Sequence, residues 1–416
     1  MIELAYISRR ISMRRFATVF ALCSILSFTL PSIAAACGAL IPADDQIRQA
    51  GLNVIFAVDG QANQTTAYIQ INYVGDPAEF AWILPVPSNP KVDVIEASTF
   101  AELHTLTDPR VTFPSPPECF PAIVGAAPDG AGQAPNVLQQ GQVGPYDYSV
   151  IEDRDPAALE TWLKTNGYQT PAGLEAALKP YTEAGMPLIA MKLKPGADTN
   201  DIQPVAISFT GTTPMLPLRL AALSSEPKTP ITVWIFGEAQ AIPTNTERFT
   251  MRENDLALTA YDGSNNYKEL RSGVLASVAG KGFLTEYAQQ SKFLNPQDSL
   301  LKELTSKYAF LTRLYAEISP EEMLFDPTFG YSPDLPPLSN NIDLTYRAEP
   351  YDCETATLHT VRRQQYDAAK GNRSSEEEAT ANLRRGPLRI GTLLVIGVTM
   401  GSIWLLARRP KRRPSA

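Results

Sequence analysis

The chain holds few of the side chains that hydrolytic and metal chemistry use. Its only histidines are His104 and His359. A histidine-based zinc site needs further ligands close by, and a Ser-His-Asp triad needs a nucleophile and an orienting acid around one imidazole. Neither histidine has an HExxH pattern or a cysteine pair beside it, and no GxSxG elbow is present. The phosphate-cradling GxxxxGK[ST] loop is missing, as is a GxGxxG following a strand, so no nucleotide cofactor is implied. His104 lies on a helical pattern and reads as a surface or hydrogen-bonded histidine.

Carboxylates are plentiful. Asp76 and Glu79 flank a Gly-Asp-Pro turn, and Glu152, Asp153 and Asp155 cluster before a helix. A catalytic pair requires two environments that drive the pKa values apart. Acids at turns and helix starts more often accept backbone hydrogen bonds, which is the role expected here. Asp262 to Asn266 begins like a calcium loop but fails it, with Tyr267 where glycine is required and Gly273 where glutamate is. Asp198, Asn200 and Asp201 read as a turn. No metal ligand set and no cofactor emerge.

Cysteine chemistry depends on compartment. Residues 1–36 have the order of an export signal: basic Arg9, Arg10, Arg14 and Arg15, an apolar run from Phe16 to Leu30, and small Ala34, Ala35 and Ala36 before Cys37. Three cysteines then remain, Cys37, Cys119 and Cys353. In an oxidising compartment two of them pair. Spacing does not assign the pair; Cys119 with Cys353 is the expectation, since each sits in a loop that a staple would restrain. Cys37 is left lipidated or free.

At the far end, Ile390 to Ala407 is an uncharged apolar run of 18 residues, the minimum length for a membrane-spanning helix. Arg408, Arg409, Lys411, Arg412 and Arg413 follow, which places the C-terminus in the cytoplasm. The expected topology is an extracytoplasmic body on the cell membrane with one span. Between residues 37 and 389 the chain carries 27 basic and 43 acidic residues. So acidic a body is a poor partner for nucleic acid, whose affinity rests on Lys and Arg.

The elements that position these residues are mostly strands. Thirty-five prolines favour turns and strand ends over long helices. Residues 51–59 read as a strand, and residues 60–63 as a hairpin loop. The next strand alternates Ala67, Ile69, Ile71 and Tyr73 with Thr66, Tyr68, Gln70 and Asn72, as a half-buried strand does. Phe80 to Leu84 lacks alternation and is predicted to be more deeply buried. A helix is predicted over 94–106, with Val94, Ala97, Phe100 and Leu103 on one face. Residues 114–145 form an insertion rich in Pro, Gly and Ala.

A strand resumes at Tyr146. Asp155 caps a helix that starts at Pro156 and stops at Gly167, and a second helix from Thr170 ends at Gly185, so the two form a helical hairpin. Strands are predicted at 188–193 (with a wet side at Lys192 and Lys194), 204–209, 216–223, 231–236, 248–252 and 310–317. Helices are predicted at 267–278 and 298–306. Residues 326–352 read as irregular and 353–389 as a polar stalk. The expected fold is α+β, a mainly antiparallel β-sheet body with an inserted helical hairpin and a C-terminal transmembrane helix. Its parts are 1–36 signal peptide, 37–113 β-rich start, 114–145 insertion, 146–352 α+β remainder, 353–389 stalk, 390–407 span and 408–416 tail.

Seven blocks in order carry a resemblance: the Cys-Gly at Cys37, IFAVDG, YVGDPAEFAWILPVP, VGPYDYSVIEDRDPAALETWLKTNGY, DIQPVAISFTGTTPMLPLRL, GFLTEYA and AFLTRLYAEISPEEMLFDPTF. Over Cys37 to Phe329 the chain resembles the bacterial exported proteins grouped as domain of unknown function 2330. The resemblance implies a signal peptide, often a C-terminal anchor, and no assigned activity, so no catalytic residue is carried over. Many members have a second cysteine soon after the Cys-Gly pair. Leu40 to Asp44 contains none, which leaves Cys37 without that partner.

The function expected on these grounds is a non-enzymatic binding or scaffolding module of the cell envelope, whose partner is an envelope protein or glycan. A carboxylate-dependent envelope hydrolase is the alternative, and signal transmission through the span is a third.

Overall fold

The computed structural model describes residues 33–35, 38–42, 48–74, 80–87, 90–114, 143–168, 170–194, 202–259, 264–347, 351–352 and 357–358. In chain order the strands are β1 (Ile33–Ala35), β2 (Ala39–Pro42), β3 (Arg48–Asp59), β4 (Gln64–Val74), β5 (Phe80–Pro85), β6 (Lys91–Val94), β7 (Arg110–Thr112), β8 (Tyr146–Ile151), β9 (Leu188–Leu193) and β10 (Val205–Thr210). They continue as β11 (Thr213–Met215), β12 (Thr229–Gly237), β13 (Ala241–Pro243), β14 (Glu247–Thr250), β15 (Gly282–Gln290), β16 (Phe310–Ile318), β17 (Phe329–Tyr331), β18 (Asn341–Asp343), β19 (Tyr351–Asp352) and β20 (Thr357–Leu358). The helices are α1 (Ser98–Thr107), α2 (Pro156–Thr165), α3 (Leu174–Glu183), α4 (Leu218–Ala221), α5 (Tyr267–Ala276) and α6 (Ser299–Lys307).

The chain divides into two units. Met1–Leu256 with Asn265–Glu349 holds both large sheets, and Ala257–Ser264 with Pro350–Ala416 holds the antiparallel pair β19–β20. In the first unit, eight strands run in the order β14-β15-β16-β12-β3-β4-β10-β6, and four in the order β2-β5-β9-β8. Antiparallel pairing dominates, but β3 runs parallel to β12 and β14 to β15, so the larger sheet is mixed. The smaller one is antiparallel throughout.

Both sheets are buried on two sides, which makes four layers. Val54, Phe56, Ile69, Val233 and Leu314 of the larger sheet pack against Trp82, Leu84, Ile189 and Met191 of the smaller. On the outer side of the larger sheet, Ile55, Trp234, Phe236 and Leu311 meet Phe100 and Leu103 of α1 and Leu301 and Leu304 of α6. Helices α2 and α3 cover the smaller sheet, with Leu159, Leu163, Leu174 and Leu178 against Ile83, Leu188 and Ala190.

Local chemistry explains the joints. The Asp59 carboxylate accepts from the amides of Gln61 at 3.0 Å and Ala62 at 2.8 Å, and Asn63 takes φ +49°, so β3 and β4 close as a hairpin. The helical hairpin is inserted between β8 and β9 as the sequence implies. Asp155 accepts from Ala157 N at 3.0 Å to cap α2, and Gly167 and Gly185 end the two helices with φ of +79° and +69°.

Several expectations are corrected. Residues 216–223 are not a strand; Leu218–Ala221 is one helical turn, because this apolar run turns Leu218 and Ala221 to the inter-sheet core and Leu220 to the hairpin core. An unbroken apolar run does not distinguish strand from helix. Helix α1 starts at Ser98, and Val94 belongs to β6. Strand β9 is wet only toward its end: Leu188 and Ala190 lie under the hairpin, while Lys192 and Lys194 are half-buried. Residues 282–290, which the sequence pattern left unassigned, form β15 inside the larger sheet. Residues 326–352 contain β17, β18 and β19.

Ile33–Ala35, placed at the signal cleavage region by sequence, pairs in parallel with Thr213–Met215. No described helix is long and apolar enough to cross a membrane. The predicted span 390–407, the tail, most of the stalk and most of the insertion lie outside the described residues.

Candidate functional site

Strand β10 stops pairing with β4 at the Val205–Ile69 partnership, next to Pro204, while β4 continues to Val74 beside β3. A cleft of about 290 Å³ opens there between the two sheets. Its walls are Ile69, Ile71 and Tyr73 with the intervening Gln70 and Asn72 of β4, Trp82 of β5, Tyr146 of β8, and Ile202, Gln203 and Pro204. That volume sits at the lower end of small-ligand sites, which typically begin at about 300 Å³.

None of these lining residues is charged. Tyr146 donates from its hydroxyl to the Gln203 carbonyl at 2.7 Å, tying β8 to the approach to β10. Burial pushes the Tyr146 hydroxyl well above its usual range, against the partial opposition of that hydrogen bond, so the phenol stays neutral. Trp82 is 4% exposed, and its indole Nε1 is buried with no hydrogen-bond partner among the described residues. A buried donor left in this state costs about 1–3 kcal/mol. The cleft can therefore hold an uncharged group against the aromatic faces of Tyr73, Trp82 and Tyr146.

Of the acids singled out from sequence, those among the described residues do not converge. Glu152, Asp153 and Asp155 are exposed, Asp153 accepting from Asp155 N at 2.9 Å and Asp155 from Ala157 N at 3.0 Å. These are turn and cap contacts. Asp76, Glu79, Asp198, Asn200, Asp201 and Asp262 lie outside the described residues, as do Cys37, Cys119, Cys353 and His359. Asn265 accepts from Tyr267 N at 3.1 Å and so helps start α5. Among the described residues no three His, Cys, Asp or Glu side chains are placed to hold a metal.

His104 is a hydrogen-bonded histidine: Nδ1 lies 3.0 Å from Asp108 Oδ1, and the ring stands edge-on to Trp234 at 4.7 Å. It is the outer end of a charged cluster that the sequence reading missed. Glu286 of β15, its side chain fully buried, accepts from Arg313 Nε at 2.9 Å, from the Tyr267 hydroxyl at 3.0 Å and from Arg271 at 3.2 Å. Arg313 bonds Asp108 and reaches Thr107 Oγ1 at 3.3 Å, and its guanidinium lies 5.3 Å from the Trp234 ring centre. Arg271 stacks on Tyr315 at 3.7 Å.

A bulge in β15 between Thr285 and Tyr287 is the backbone irregularity at Glu286. Burial raises the Tyr267 hydroxyl, and the neighbouring Glu286 charge raises it further. For Asp108 burial acts upward, but the His104 hydrogen bond and the Arg313 charge outweigh it and hold the carboxyl below its usual range. Glu286 spends its acceptor capacity on protein donors, so the cluster is a tie between α1, α5, β15 and β16. The available signal was a lone Glu in GFLTEYAQQ and a lone Arg in FLTRLYAEI, charges within otherwise strand-like runs.

A comparison with curated proteins finds no match. Among solved structures, the crystal structure of baculovirus P35 is similar with a TM-score of 0.32 and 9% identity, covering 71% of this chain and 97% of that chain, a score below that of a shared fold. A family model matches residues 31–330. The chain thus belongs to the DUF2330 family, described as uncharacterized protein conserved in bacteria.

Proposed function

We propose that the chain is a non-enzymatic binding module of the bacterial cell envelope whose inter-sheet cleft receives an uncharged group of an envelope protein or glycan. One observation carries this reading: Trp82 lines an uncharged aromatic cleft, and its buried indole donor has no partner among the described residues. A partner that brings an acceptor to Nε1 offsets the cost of that donor and buries the faces of Tyr73 and Tyr146. Export and single-pass anchoring are supported by the N-terminal basic and apolar order and by the apolar run 390–407 with five basic residues after it. With the body outside and a short basic stub inside, the cleft faces envelope components.

Photocrosslinking in the bacterial host tests the proposal. A benzophenone amino acid replacing Tyr73, which is half-buried at the cleft, should capture one reproducible envelope component. The same group replacing exposed Phe293 should not. Recovery of nothing above background from position 73 contradicts the reading.

A further inference from the structure

We propose that β8 pairs edge to edge with β8 of a second copy of this chain, antiparallel about a two-fold axis through Ser149. This goes beyond the cleft and does not depend on it. Among the described residues, strand β8 is the last strand of the smaller sheet and pairs with β9 alone. Lys194 N donates to Pro145 O at 2.9 Å. In the antiparallel pattern this turns the backbone groups of Asp147, Ser149 and Ile151 toward β9 and those of Tyr148 and Val150 away from it.

The outward edge is built to pair. Tyr148 is 38% exposed and Val150 46%, and β8 has no Lys, Pro or bulge of the kind that blunts an edge strand. Charge selects the partner and its direction. Exposed Glu152 and Asp153 follow one end of β8, with Arg154 beyond them, and Lys192 and Lys194 flank the other end, near Asp147. Antiparallel pairing of two copies sets each acidic end against the other's lysine end, whereas parallel pairing would set like charges together. In the register that faces Ser149 with itself, Tyr148 lies opposite Val150 of the second copy in a hydrogen-bonded pair. That places an aromatic ring across from a β-branched side chain on both sides of the axis.

In this register Ser149 meets its counterpart in a non-hydrogen-bonded pair, with Cα atoms about 4.5 Å apart. A disulfide is compatible with that approach. The test is the full-length chain carrying Ser149→Cys, oxidised mildly in detergent and compared with the unsubstituted chain, which sets the background from its own cysteines. Disulfide-linked dimer should exceed that background about tenfold, and adding Val150→Lys to the exposed edge should remove most of the gain. Tyr346→Cys, 70% exposed and distant in sequence, reports random collision. Dimer from Ser149→Cys at the background level, equal dimer from Tyr346→Cys, or indifference to Val150→Lys would each overturn the proposal. A monomer whose Tyr148 and Val150 amides resist hydrogen exchange would mean that another segment of the same chain covers β8, and would overturn it as well.

Discussion

Arg313 donates through Nε to Glu286 Oε2 at 2.9 Å, and neither side chain is more than 3% exposed. This pair ties β15 to β16 at the bulge that interrupts their antiparallel ladder between Thr285 and Tyr287. Removing Glu286 leaves the buried Arg313 with Asp108 as its one remaining carboxylate partner, and breaking a buried pair typically costs 3–5 kcal/mol. Glu286→Gln should therefore lower unfolding stability by about 3 kcal/mol. The double change Glu286→Leu with Arg313→Met should cost less than either single change, because both charges leave together. Urea unfolding of the three variants decides it; additive losses would show that the pair acts as two independent contacts.

The outer end of the same cluster predicts a pH effect. The Asp108 carboxyl is held below its ordinary range in the folded chain. Its stabilisation is thus present above the unfolded value, near pH 4, and is lost as pH falls through the folded value. The unfolding midpoint should drop below about pH 4, and Asp108→Asn should flatten part of that drop. Asp108 is half-exposed, so added salt should shrink the difference. An Asp108→Asn profile that parallels the parent chain would count against the His104–Asp108–Arg313 linkage.

Asp155 is a cap. Asp155→Ala should cost about 1 kcal/mol of stability, through the loss of the bond to Ala157 N, and Asp155→Ser should restore most of it. Restoration by serine, measured by thermal or urea unfolding, separates capping from the carboxylate chemistry that a hydrolase would need. Loss with serine equal to that with alanine would reject the cap.

How much of this was legible in the chain varies with the kind of signal. The β3–β4 hairpin, the deep burial of Trp82 to Leu84 and the α2–α3 hairpin rest on local rules, alternation, apolar runs and Asp-Pro and Gly punctuation, and each is found. Strand β15 was hidden because Thr285 and Glu286 are polar residues buried by partners that are distant in sequence. Arg313 lies 27 residues from Glu286, and Asp108 lies 205 from Arg313, separations that no local window links. The cleft was invisible for the same reason: Tyr73, Trp82, Tyr146 and Gln203 meet only once β10 stops short of the end of β4. Trp82 itself was read as core, which is true of its ring and incomplete for its Nε1.

That indole offers the most direct test of the cleft. In the full-length chain labelled with ¹⁵N-tryptophan, the Trp82 N–H signal is assigned by its loss in Trp82→Phe. It should shift on titration with an uncharged probe that carries an amide acceptor, N-acetylglucosamine or N-acetyltyrosine amide, while the Trp234 signal, whose N–H already donates to Thr107 at 2.9 Å, stays in place. A Trp82 signal unmoved by both probes up to millimolar concentration, in a chain whose remaining signals show it folded, would contradict the claim that the cleft is a binding site.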